Sequence, residues 1–242
     1  MNIILQKFTN FILPPRCICG EKFLSECNSI CSECFGEYCN SSNFECSKCG
    51  NPLQFDFGEN ALCAECIEKP PEFDYGRFVY SYNNFTKKII SRFKYSDKTF
   101  ASKKISQLMA GKISAFVKNN QIDFVTSIPI SRKKLLSRKY NQSAILALEI
   151  SKIFQLKCDN QILYREKNVA PQASLSRQER LKNMKNVFAI KNKNIPKIKG
   201  KNILLVDDVI TTGATLNEAS KILKKAGVNR VFTITFAKTF LD

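Results

Sequence analysis

Histidine is absent from this 242-residue chain, and glycine is scarce at 9 residues. Without histidine, a zinc site built on the cysteines is closed by thiolates, which argues for a structural centre and against a catalytic one. No apolar run approaches the ~18 residues that a membrane span requires, so no membrane insertion is expected. The signature Gly-x-x-x-x-Gly-Lys-[Ser/Thr] does not occur, which argues against a P-loop nucleotide triphosphatase. Apart from the cysteine pairs there is no internal repeat, and there is no low-complexity segment. Residues 1–13 are apolar with only Lys7 charged, and Pro14-Pro15 follows where a signal peptide would carry a small-residue cleavage site. Export is not expected; the expected compartment is the cytoplasm.

What is present is globular, with 44% apolar and 24% charged residues in 27.6 kDa, enough for one large or two modest domains. Two imbalances divide the chain. Ten of the eleven cysteines lie between Cys17 and Cys66, and only Cys158 lies beyond. Charge splits the same way: residues 1–75 hold 5 Lys and Arg against 11 Asp and Glu, whereas residues 76–242 hold 33 against 10. The expected division is a Cys-rich unit over 1–70 and a basic unit over 71–242, with Lys69-Pro70-Pro71 as the turn between them. Such a basic unit attracts polyanions at long range. The 29 Lys against 9 Arg fit genomic base composition and a plain solvated surface as well.

The pairs in the head read Cys17-x-Cys19, Cys31-x-x-Cys34, Cys46-x-x-Cys49 and Cys63-x-x-Cys66. A Cys-x-x-Cys turn sets two thiolates on one side, where a second pair completes a tetrahedral zinc site with sulfurs about 2.3 Å from the metal. Gly50 fits the turn after Cys49, and 13 residues separate Cys49 from Cys63, close to zinc-ribbon spacing. Cys46, Cys49, Cys63 and Cys66 are therefore the stronger tetrad. Cys17, Cys19, Cys31 and Cys34 form the second, where the one-residue gap is cramped and Cys27 is an alternative ligand. One or two structural zinc ions are expected. A disulfide framework would need an oxidising compartment.

From Gly76 onward short β-rich runs alternate with amphipathic ones, the pattern of an α/β domain. Expected strands are Phe78–Tyr82, Phe124–Ile128, Ile203–Val206 and Arg230–Phe236. Expected helices are Phe85–Phe93, Ser102–Phe116, Gln142–Phe154 and Leu216–Ala226, the last capped by Gly227. Ile203–Val206 is apolar on both faces, as a central parallel strand covered by helices on both sides would be.

Ligands of open parallel sheets bind beyond the carboxyl ends of the strands. After Val206 comes Asp207-Asp208-Val209-Ile210-Thr211-Thr212-Gly213-Ala214-Thr215. Adjacent carboxylates need cations or hydroxyls to meet them, and a Thr-rich turn opening a helix offers hydroxyls and backbone N–H groups to an anion. Side by side they suit a sugar phosphate.

The run Leu204–Thr215 resembles the phosphoribosyl pyrophosphate (PRPP) motif of type I phosphoribosyltransferases. A zinc ribbon followed by such a domain resembles the ComF family of competence proteins, over nearly the whole chain. Leu13-Pro14-Pro15-Arg16-Cys17, Phe93-Lys94-Tyr95, Ser127-Ile128-Pro129 with Arg138-Lys139-Tyr140-Asn141-Gln142, and Pro171-Gln172-Ala173-x-Leu175 with Arg180 and Asn183 add to the likeness. The resemblance implies an open, mainly parallel sheet with flanking helices behind a small Cys-rich zinc-ribbon domain. It implies that Asp207 and Asp208 hold the ribose hydroxyls, that Thr211, Thr212, Gly213, Ala214 and Thr215 wrap the 5′-phosphate, and that Arg132 and Arg138 meet pyrophosphate. It further implies that a loop bearing Arg177 and Arg180 closes over the site, that magnesium accompanies PRPP, and that the protein acts in DNA uptake with the uptake machinery as further partners. No nucleobase-reading hood is recognisable.

Two functions stay open. One is phosphoribosyl transfer, with loss of pyrophosphate from the ribose through an oxocarbenium-like state. The other is single-stranded DNA binding, for which Lys87, Lys88, Arg92 and Lys94, with Lys133, Lys134 and Lys139, supply basic clusters interleaved with aromatics.

Overall fold

The computed structural model describes residues 14, 16–19, 22–24, 30–39, 44–95, 98–166 and 187–240. Five parallel strands form one sheet: β1 (Tyr75–Ser81), β2 (Phe124–Ser127), β3 (Lys157–Cys158), β6 (Asn202–Ile210) and β7 (Arg230–Lys238), in the order β1-β7-β6-β2-β3. Strand β6 is thus the middle strand, paired with β2 from Phe124↔Ile203 to Ser127↔Val206 and with β7 from Asn202↔Arg230 to Ile210↔Lys238.

The doubly apolar stretch of β6 is used on both faces. Leu204 and Val206 join one core with Val125, Phe232, Ile234 and Phe236. That core is closed by α3 (Asn84–Tyr95), α4 (Lys98–Asn119) and α6 (Gln142–Phe154), through buried Ile89, Phe93, Ile105, Met109, Leu146 and Ile150. Ile203 and Leu205 join the other core with Phe124 and Val231, under Leu216, Ala219 and Leu223 of α8 (Ala214–Lys225). A small antiparallel pair of β4 (Leu163–Arg165) and β5 (Phe188–Ile190) covers the same face, followed by a 3-10 turn (Asn192–Asn194) and α7 (Ile195–Ile198).

The strand does not stop at Val206, where the apolar run alone would end it. Pairing with β7 carries it through Asp207↔Thr235 to Ile210↔Lys238. The acids therefore belong to the strand, and the turn begins only at Thr211. The alternation of faces also slips there. Val206 and Val209 pack on the same core while Ile210 packs on the other, and the slip falls on the acid pair.

The Cys-rich head lies against the β1 side, with two short helices, α1 (Ser32–Cys39) and α2 (Ala64–Glu68). Cys17, Ile18, Cys19, Cys31 and Cys34 are part of the first core, and the Tyr80 hydroxyl donates to the Cys34 carbonyl at 3.2 Å. At a second seam the Gly76 N–H donates to the Lys48 carbonyl at 2.7 Å. There Arg77 lies over the Tyr75 ring and pairs with Glu45 at 3.2 Å, and Lys112 also pairs with Glu45. Gly50 is required at this seam, because its φ is 75° and an added Cβ would stand 2.9 Å from the Gly76 carbonyl oxygen. No helix among the described residues is long and apolar enough to cross a membrane.

Candidate functional site

Two features meet at the carboxyl end of the sheet. The first is the acid pair. Asp207 is buried, and its Oδ1 accepts from the Ser143 hydroxyl at 2.8 Å and from the Asp208 N–H at 2.9 Å. Asp208 in turn accepts the Val209 N–H at 2.8 Å. Burial first, and then the charge of Asp208, push the Asp207 carboxyl up to about 8. A buried carboxyl beside a second one holds its proton until a cation or an array of hydroxyls stabilises the charged form.

The second feature is the turn. Thr211 is exposed and Thr212, Gly213, Ala214 and Thr215 are half-buried. Gly213 caps α8 at φ 72°, which only glycine adopts at little cost, and an added Cβ would meet nothing nearer than Ile210 at 4.0 Å. The space above the turn is open. The Thr212 hydroxyl oxygen accepts the Ala214 N–H at 3.4 Å, and the Gly213 carbonyl takes the Asn217 N–H at 2.9 Å. The turn is therefore shaped as a cradle of N–H groups at the start of a 12-residue helix.

On the β2 side, Ile128–Ser131 lead into α5 (Arg132–Arg138), a helix with no buried residue. It is pinned at its ends. Ser131 accepts the Lys134 N–H, the Asn141 amide donates to the Ile128 carbonyl at 2.9 Å, and the Tyr140 hydroxyl donates to the Phe93 carbonyl. Arg132 is exposed, while Arg138 donates to Gln142 Oε1 at 3.3 Å. Lys133, Lys134 and Lys139 are exposed around the same helix, and Lys87, Lys88 and Arg92 are exposed on α3, Arg92 donating to the Cys19 carbonyl. Arg177, Arg180 and Cys27 lie outside the described residues, as does the side chain of Lys94.

On the β7 side, a cleft of about 520 Å³ separates the turn from the head, lined by Thr211–Ala214 on one wall and by Cys49, Cys66 and Glu65 on the other. Lys238, the last residue of β7, is buried within it. Ser143, Asn51 and Lys238 escaped the sequence reading. For Lys238 a signal exists: it is the cation that ends the β-rich, uncharged run Val231–Ala237.

The eight paired cysteines gather into two groups, Cys17, Cys19, Cys31, Cys34 and Cys46, Cys49, Cys63, Cys66, each with all sulfurs within 4.8 Å of one another. Cys17 and Cys34 sulfurs are 3.3 Å apart, and those of Cys49 and Cys63 3.6 Å. Each first pair lies between the partners of an antiparallel bridge, Arg16↔Phe23 and Glu45↔Pro52. Burial acts to raise the Cys46 thiol, but N–H groups of Cys49, Cys63 and Lys48 outweigh it and bring it to about 7. Burial pushes Cys49 up to about 12, with the Lys238 ammonium pulling the other way. Four convergent sulfurs, with the Asn51 amide donating to Cys63 Sγ at 3.8 Å, fit a closed tetrahedral thiolate site and can hold a metal ion.

Residues 142–239 match the family described as phosphoribosyl transferase domain. The chain is similar to Competence protein F of Haemophilus influenzae, at 29% identity over 77% of this chain and 81% of that protein. It is similar to DNA utilization protein YhgH of Escherichia coli K12, at 26% over 77% and 80%. Competence protein ComFC of Streptococcus pneumoniae is 29% identical over 67% of each chain. With the parallel five-stranded sheet and its flanking helices, the body has the phosphoribosyltransferase fold, and the head has the two four-cysteine groups of a double zinc ribbon.

Proposed function

This chain belongs to the ComF family of competence proteins, and from that premise we propose that it binds PRPP with magnesium and serves DNA uptake in natural transformation by handling single-stranded DNA in the cytoplasm. The observation that carries the reading is the acid pair near the end of the middle strand, separated only by Val209 and Ile210 from the open turn that begins at Thr211 and holds Gly213 at φ 72°.

Asp207 and Asp208 accept hydrogen bonds from the two vicinal ribose hydroxyls. Ser143 holds Asp207 in place for this. The N–H groups and hydroxyls of Thr211–Thr215 take the 5′-phosphate. Arg132 and Arg138 meet the pyrophosphate, with Arg177 and Arg180, which lie outside the described residues, as its further cations. Magnesium brought with PRPP would supply positive charge to offset the diphosphate. Cys17, Cys19, Cys31 and Cys34, with Cys46, Cys49, Cys63 and Cys66, would hold zinc, which would keep the head, residues 1–70, as a structural unit on the transferase domain, 71–242. The exposed cations Lys87, Lys88, Arg92, Lys133, Lys134 and Lys139, with Lys94 next to them in sequence, track a DNA backbone. The names of the relatives, a competence protein and a DNA utilization protein, support DNA as the polyanion.

The test is calorimetry of PRPP with magnesium against the wild type and the double variant Asp207→Asn, Asp208→Asn. Binding by the wild type and loss in the variant are expected, and unchanged affinity overturns the reading. Pyrophosphate release with a nucleobase, together with no affinity for single-stranded DNA, would replace it by a salvage enzyme.

A further inference from the structure

The cleft between the turn and the head joins two sites that the sequence places far apart. Its Lys238 is 8% exposed, and the ammonium sits 5.7 Å from the ring centroids of both Phe78 and Phe240. Its hydrogen-bond partner is the Asn51 side-chain oxygen. The nitrogen of the same amide donates to Cys63 Sγ, and the Asn51 carbonyl accepts the Cys46 N–H at 2.7 Å. On the other side of Lys238, the Thr239 N–H donates to the Ile210 carbonyl at 2.9 Å, and Ile210 is the residue before the turn. One short chain of contacts thus runs from a cysteine group through Asn51 and Lys238 to the base of the Thr turn.

We propose that Asn51 and Lys238 are positioning residues that couple a metal ion at Cys46, Cys49, Cys63 and Cys66 to ligand binding at the turn 211–215. The proposal rests on the reading of that turn as a PRPP site. A metal ion turns the four thiols into fixed thiolates, and a thiolate accepts the Asn51 N–H more strongly than a thiol does. The amide is then held with its oxygen toward Lys238. A group of four thiolates around a divalent ion carries a net charge of about −2, which favours a cation beside it. When the metal leaves, Lys238 loses both its oriented partner and the nearby negative charge. A buried ammonium without them moves toward water, and the β7 end that pins Ile210 moves with it. The coupling is reciprocal, so ligand at the turn holds the metal more tightly by the same factor.

The full-length zinc-loaded protein is tested by the rate at which zinc passes to a chromophoric chelator that ignores magnesium, with and without PRPP and magnesium. PRPP is expected to slow release by about fivefold or more, the lower range of measured couplings. The variant Asp207→Asn, Asp208→Asn gives the baseline for chelation by PRPP itself. Asn51→Ala is expected to abolish the effect of PRPP on zinc release and to weaken PRPP binding although it lies outside the turn; Lys238→Met behaves alike, and Lys238→Arg restores part of both. Zinc release that PRPP does not change, in wild type that binds PRPP by calorimetry, overturns the coupling alone. Absence of PRPP binding to the wild type overturns the site reading and the coupling with it. Because the release experiment reads the wild type, a variant that fails to fold does not shield the proposal.

Discussion

Asp207→Asn should make the free protein more stable at high pH while removing its ligand. The Asp207 carboxyl is raised from the ordinary 3.8 to about 8, mainly by burial and then by the charge of Asp208. A raised carboxyl stabilises the fold fully below the unfolded value, and that contribution is lost as pH climbs to the folded one. The cost of charging Asp207 therefore accumulates between about pH 4 and pH 8 and is complete above. With no relaxation it amounts to roughly 5–6 kcal/mol. Sharing of charge with Asp208 and local water entry reduce this, and about 1–3 kcal/mol is the expected gain of the variant at pH 9. Asparagine keeps an oxygen for the Ser143 hydroxyl and the Asp208 N–H, so the comparison isolates the charge. Urea unfolding with zinc present, at pH 4.5 and pH 9, reads the difference. Equal midpoint shifts at the two pH values would refute the reasoning. So would an Asp207→Asn protein that binds PRPP as tightly as the wild type, since the burial of this acid would then serve no ligand.

Metal analysis of chelator-free protein should return two zinc per chain and one after Cys49→Ser; none in the wild type would return the cysteines to a redox role. Gly213→Ala should cost about 1 kcal/mol from its positive φ alone, because the added Cβ meets only Ile210 at 4.0 Å, and should weaken PRPP binding by calorimetry. An unaltered affinity would count against the turn as the phosphate cradle. Replacing Lys133, Lys134 and Lys139 by Gln should lower the slope of log affinity for single-stranded DNA against log salt by about 2. A slope that does not move places the DNA elsewhere.

Much of this architecture is legible in sequence because burial leaves periodic marks. The doubly apolar Ile203–Val206 announced a middle strand, and α6 falls on Gln142–Phe154, the span that its apolar spacing marks. The elements that escaped are those without such marks. Helix α5 buries nothing, and Leu136 is 81% exposed, so no apolar stripe betrays it. Strand β3 has two residues and the paired strands β4 and β5 three each, too short for a period to show. At the site, Asp207, Asp208 and the turn are contiguous and therefore readable. Their partners are not: Ser143 lies 64 residues from Asp207, and Asn51 lies 187 from Lys238.

The strand order explains why the site is asymmetric. Because β6 lies between β7 and β2, whatever binds past its carboxyl end has one neighbour from each. The β2 neighbour leads into the exposed, cation-rich α5, which suits long polyanions reached through solvent. The β7 neighbour is backed by the head, whose residues 1–70 hold 5 Lys and Arg against 9 Asp and Glu, and whose cysteine groups would become more negative on taking up a metal ion. A phosphate chain approaching the turn is thus attracted from the α5 side and repelled from the head side. Lys238 is the buried cation interposed at that second boundary. The same polarity that segregates along the chain therefore favours approach of a polyanion from the α5 side over approach past the head.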